Sequence, residues 1–180
     1  KISATAKDST SVKNVAMIAM TTAALDVGTK ITNATLAAGT GLETSAASEA
    51  RYTAVSSFIG TDKVQFTPIS ANFKAASSIN KITGNVTTIV TSSTLSATTG
   101  AIAVTATDAR WLVSNTIARQ DIDTTLAAWM LTNTFNMAAS ATLSVNALMG
   151  TVQADLVSST VTATAGDVTV SADLAIFLDA

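Results

Sequence analysis

The sequence predicts a mainly β protein, most simply two antiparallel sheets packed face to face as a jelly-roll or immunoglobulin-like sandwich, with one or two short helices. Three observations lead there. Val168, Val170, Ala172, Leu174, Ile176 and Leu178 alternate strictly with Thr169, Ser171, Asp173, Ala175, Phe177 and Asp179, the period of a strand with one buried face. A phrase occurs twice: Ser92, Ser93, Thr94, Ala97, Thr98, Gly100, Val104 and Ala106 match Ser158, Ser159, Thr160, Ala163, Thr164, Gly166, Val170 and Ala172. The chain also holds 51 Ser and Thr but one Pro, a composition of ordered β structure.

Each copy of the phrase reads as a hairpin. Val161 and Ala163 alternate with threonines, Gly166-Asp167 supplies a Gly-x pair suited to a type II′ turn, and the alternating run follows. In the earlier copy Leu95 and Ala97 precede Gly100, and Ile102, Val104 and Ala106 share a face. A weaker echo stands at residues 35–42. Two clear copies 66 residues apart are too few to read as a solenoid. Further strands are expected at residues 29–37, 63–69, 85–91 and 141–157, with Pro68 confining its strand to an edge or an end.

Two segments read as helical. Thr40 and Glu43 form a capping box, Tyr52, Val55 and Ile59 follow at helical spacing, and Gly60 stands at the C-terminal cap. Over residues 108–131, Trp111, Ala118, Ile122, Leu126 and Trp129 lie along one stripe.

With 180 residues the chain is long enough for one domain with its own core. Residues 9–180 are assigned to that domain and residues 1–8 to an extension whose Ile2, Ala4 and Ala6 alternate. Of the apolar residues 34 are Ala and aromatics are 4%, so the core is expected to be thin. Charged residues are 12%, about half the usual roughly 25%. With a net charge of -2, little repulsion separates copies.

Scattered Lys and Arg supply no basic footprint for nucleic acid. The longest apolar run, VAMIAM at residues 15–20, is too short to span a bilayer as a helix. A chain opening at Lys1 is expected to have lost a leader on export, which places it outside the cell. Asn33-Ala34-Thr35 and Asn85-Val86-Thr87 are acceptor sequons for glycosylation.

The chain has no His and no Cys, which removes the usual serine and cysteine triads and nearly all zinc sites. Ser78-Ile79-Asn80-Lys81 matches S-x-x-K but reads as a loop entering a strand with a solvated lysine. Glu43 and Glu49 are assigned to a helix cap and its exposed face rather than to a carboxylate pair. Asp121 and Asp123 lack the Gly and closing Glu of an EF-hand and read as the first turn of a helix. No catalytic residue, metal or cofactor is expected. Trp111 and Trp129 are read as core, their alternative being a platform for surface glycans.

Open strand edges with sparse protective Lys, Pro or bulges, little charge and an alternating start suit strand addition between copies. On Ile2, Ala4 and Ala6, the Thr-rich repeated phrase and the strand Val168–Leu178, the chain resembles secreted β-sandwich filament subunits: TasA-like biofilm-matrix proteins and donor-strand pilins. It differs from disulfide-bearing pilins in having no Cys. The resemblance implies head-to-tail homopolymerisation at the cell surface without catalysis. The alternatives are a virion protein, such as a tail-tube or capsid-decoration subunit, and a carbohydrate-binding adhesin module.

Overall fold

The computed structural model describes residues 2–8, 14–63, 69–123 and 135–180. They form thirteen strands: β1 (Ile2–Asp8), β2 (Asn14–Ala24), β3 (Val27–Thr32), β4 (Thr35–Ala38), β5 (Leu42–Lys63), β6 (Ile69–Thr83), β7 (Val86–Thr91), β8 (Thr94–Ala97), β9 (Ile102–Asp123), β10 (Phe135–Met149), β11 (Val152–Val157), β12 (Thr160–Ala163) and β13 (Val168–Asp179). Every pairing is parallel, in four sheets ordered β1-β5-β9-β13, β10-β6-β2, β11-β7-β3 and β12-β8-β4. Each strand therefore bonds to the strand four places on, and the chain winds as a parallel β-solenoid. One coil runs along a long wall (β5 or β9), back along a return wall (β6 or β10), then through a short wall (β7 or β11) and an end wall (β8 or β12).

This overturns the antiparallel sandwich. No strand pairs with its sequence neighbour among the described residues, so the repeated phrase is not a hairpin. It is one stretch of successive coils: Thr94 pairs with Thr160, Ala97 with Ala163, Val104 with Val170 and Ala106 with Ala172. The echo at residues 35–42 is the same stretch one coil earlier, Thr35 pairing with Thr94 and Leu42 with Ile102. Equivalent residues are 59 positions apart between β2, β3, β4 and their partners, 60 between β5 and β9, and 66 one coil later. The added residues fall between Asp123 and Phe135, where the junction is longer than that between Lys63 and Ile69.

Both expected helices are also overturned. Residues 42–63 are the long-wall strand β5, with Glu43 in the strand rather than in a capping box, and residues 108–123 belong to β9. Residues 124–131 and Trp129 lie outside the described residues. The expected strands at 29–37, 85–91 and 141–157 fall on β3 with β4, on β7, and on β10 with β11. That at 63–69 lies mostly outside the described residues.

Inside the coil, strand alternation sets the packing. Ile102, Val104, Ala106, Asp108, Arg110, Leu112 and Ser114 of β9 are buried, while Thr107, Trp111 and Asn115 face out. The apolar part sits where the long wall meets the short and end walls: Val90, Leu95, Ala97, Ile102 and Val104 form one cluster, and Ala46, Val86 and Ala106 a second. Tyr52, Ile82 and Leu112 close the sequence of clusters toward the return wall.

Beyond them the space between long and return walls holds small polar side chains together with two large ones, Phe58 and Lys74, whose Nζ lies 4.6 Å from the centre of the Phe58 ring. The small ones hydrogen-bond across it to main-chain carbonyls: Ser114 Oγ to Ser78 O (2.6 Å), Asn80 Nδ2 to Val113 O (2.8 Å) and Thr21 Oγ1 to Thr53 O (3.1 Å). Thr88 Oγ1 does the same from the short wall, to Thr105 O at 2.7 Å. Part of the Ser and Thr is therefore interior, and Thr21, Thr88 and Ser114 are satisfied there as burial of a hydroxyl requires, whereas the Ser48 hydroxyl is buried without a partner. Asn80 also donates to Asn146 Oδ1 one coil on, at 2.8 Å, which ties the coils along the axis.

Candidate functional site

None of the residue sets considered for catalysis comes together in a working geometry. Ser78 and Lys81 are separated by an odd number of strand positions, so Ser78 is buried in the coil and Lys81 faces out. S-x-x-K chemistry needs a helical turn to bring the two together. Glu43 and Glu49 share the outer face of β5 but stand six positions apart, roughly 20 Å along an extended strand, beyond the span of a glycosidase pair. Asp121 and Asp123 lie in β9, in register with Thr61 and Lys63.

Two features were not legible in the sequence. The first is a corner ladder. Asn33, Ser92 and Ser158 occupy one column, at the corner between the short and end walls, and all have left-handed φ of 52°, 49° and 50°. The next residue of each corner carries the axial bonds. Ala34 N–H donates to Ser93 Oγ (3.1 Å), and Ser93 N–H to Ser159 Oγ (3.1 Å). Each hydroxyl donates in turn to the carbonyl two residues before it: Ser93 to Thr91 O (2.8 Å) and Ser159 to Val157 O (3.0 Å). A matching column stands at the return-wall corner, where Asp26 Oδ1 accepts from Asn85 N–H (2.7 Å) and Asn85 Oδ1 from Thr151 N–H (3.0 Å). Both sequon asparagines, Asn33 and Asn85, are thus exposed corner residues.

The second feature is the pair of open coil ends. Val168, Val170, Leu174, Ile176 and Leu178 lie in the columns of buried Ile102, Val104, Asp108, Arg110 and Leu112, yet are exposed because no further coil covers them among the described residues. Strands β10, β11, β12 and β13 contain no Lys, Arg or Pro, so this edge lacks the usual protection against pairing. At the other end β1 is docked on its own chain: Ile2, Ala4 and Ala6 pair with Tyr52, Ala54 and Ser56 of β5. Its opposite edge is free of any described strand.

The described residues thus form a short parallel β-solenoid whose outermost strands have one edge unpaired among those residues. Among the described residues no helix is long and apolar enough to cross a membrane, and no three His, Cys, Asp or Glu residues are grouped to hold a metal ion. No known protein family, curated protein or solved structure matches it.

Proposed function

We propose that the protein is a structural subunit of an extracellular filament, built by stacking the last coil of one copy on the first coil of the next. This keeps the head-to-tail strand complementation expected from the sequence and transfers it to a parallel coil. The observation that carries it is the match between the two ends.

In such a stack β2, β3, β4 and β5 of the incoming copy lie on β10, β11, β12 and β13 in the register already used inside the chain. Lys30 and Asp155 share a column through Ile89, so the stack sets an incoming Lys30 beside Asp155. Leu42 and Val168 share the column of Ile102, so incoming β5 covers the open apolar interior. Strand β13 fills the long wall only as far as Val113, leaving Ser114 and the residues after it without an axial partner on that side among the described residues. Ala4 and Ala6 occupy the columns of Ser114 and Thr116, so an incoming β1 from Ala4 onward fits that gap. Ile2 does not join it, because it shares its column with Leu178.

Electron microscopy of the purified protein at high concentration tests this directly, with unbranched threads one coil wide expected. Lys30→Asp and Asp155→Lys should each shorten the threads, and the two exchanges together should restore them. A protein that sediments as a single copy at every concentration and ionic strength overturns the proposal.

A further inference from the structure

On the outer face of the long wall Arg51, Trp111 and Phe177 form one column, one residue per coil. The Trp111 and Phe177 rings stack with centroids 4.8 Å apart and planes 13° from parallel. Both remain exposed, Trp111 by 39% and Phe177 by 52%. Cross-strand stacking accounts for one face of the indole. On its other side, toward the Arg51 coil, a cleft of about 320 Å³ opens, lined by Glu49, Ala50, Arg51 and Trp111.

We infer that this cleft is a binding site for a single pyranose ring of a glycan. A sugar ring has an apolar C–H face and a rim of hydroxyls, each acting as donor and acceptor. The cleft offers the complement: a flat indole held by Phe177, with the Glu49 carboxylate as acceptor and the Arg51 guanidinium as donor. Glu49 and Arg51 sit two positions apart on β5, so strand geometry sends both to the outer face beside Trp111. The cleft lies at the lower end of the range for small-ligand sites, which fits one ring and not an extended chain. Phe177 takes no hydrogen bond in this scheme; it is a positioning residue that fixes the indole plane. The site is on the outer face of the long wall, and Glu49 and Arg51 belong to β5, so the proposed stack would set Arg51 beside Phe177 of a neighbouring copy.

The test is saturation-transfer NMR on the full chain with methyl glycosides of glucose, galactose, mannose and glucuronic acid as probes. At least one is expected to bind, with transfer strongest to the protons of one ring face. Trp111→Ala should weaken binding about tenfold, the equivalent of about 1.4 kcal/mol. Trp111→Phe should retain most of it, and Glu49→Gln and Arg51→Met should each weaken it while the circular dichroism spectrum stays that of the parent. The Phe variant separates loss of a ring platform from loss of fold. No transfer to any of the four probes, or transfer unchanged in Trp111→Ala, overturns the inference.

Discussion

The main-chain N–H of Ser93 donates to the hydroxyl of Ser159, the residue that occupies the same corner one coil later. The Ser93 hydroxyl receives the corresponding bond from Ala34, and is buried, whereas Ser159 is half-buried. Replacing Ser93 with Ala leaves the Ala34 N–H without its acceptor and should cost about 1–3 kcal/mol. Ser159→Ala should cost less, since water reaches the groups it frees. Urea midpoints of the two variants measure both. A Ser93→Ala loss no larger than the roughly 0.5 kcal/mol of an ordinary surface substitution would mean that the ladder contributes nothing.

The residue before each ladder serine pays a backbone cost. Ser92 and Ser158 hold left-handed φ, which serine adopts less readily than asparagine, and the first corner already carries Asn33 there. Ser92→Asn should therefore stabilise the protein by about 0.5–1 kcal/mol, seen as a higher Tm. A lower Tm would show that the Ser92 side chain supports the corner in some other way.

Arg110 and Asp108 form a buried ion pair, Nε to Oδ1 at 2.6 Å, with side chains 0% and 5% exposed. They face inward above Ala50 and Ser48, whose small size leaves room for the long guanidinium. Arg110→Met strands a buried carboxylate and should cost about 3–5 kcal/mol. The double variant Asp108→Leu with Arg110→Met should recover most of that loss, because the apolar pair matches Leu174 and Ile176 of the next coil. Thermal denaturation of both variants decides it; a double variant as unstable as the single one would refute the stranded-charge account.

Glycine is required at one corner and dispensable at another. Gly84 has φ +138°, and a Cβ there would lie 1.9 Å from the Leu25 carbonyl oxygen; a Cβ at Gly150 would lie 2.0 Å from that of Gly84. Gly39 has no heavy atom within 4 Å of the equivalent point. Gly150→Ala should destabilise by more than about 1–3 kcal/mol, since it adds a backbone clash to conformational strain, while Gly39→Ala should be close to neutral. Equal Tm values for the two variants would contradict this reading of the corners.

The strand content of this fold was legible wherever large apolar residues mark the buried face. Val168 to Leu178 reads as a strand with the correct face inward because its inner column is Val, Leu and Ile. The long wall over residues 42–63 was not, and the reason is physical. Of its inner positions from Thr44 to Phe58 only Tyr52 and Phe58 are large; Thr44, Ala46, Ser48, Ala50, Ala54 and Ser56 are small, so no run of large apolar residues marks the buried face. The period of two is blurred there by small residues on both faces, Ser45, Ala47, Thr53 and Ser57 outside, while Thr40, Glu43, Tyr52 and Val55 happen to fall at helical spacing.

Direction of pairing was hidden in the same way. The match of Thr94 with Thr160 and of Gly100 with Gly166 is the axial register itself, but a repeat of this length is compatible with many topologies until a third copy is recognised. That copy is blurred at Thr35 to Leu42, since Asn33 stands where later coils have serine. The placement of Trp111 was misread for a related reason: on a helical stripe it belongs to the core, whereas on a strand it falls opposite Arg110 and faces out.

The unequal coil lengths have an engineering consequence. Growth from 60 to 66 residues leaves every wall in register because the surplus is confined to the junction between Asp123 and Phe135. Coil length is therefore independent of axial repeat: the junction can gain residues while the strands on either side keep their pairing. That junction is the natural place to graft a foreign peptide, since its length is free of the register that the paired strands fix.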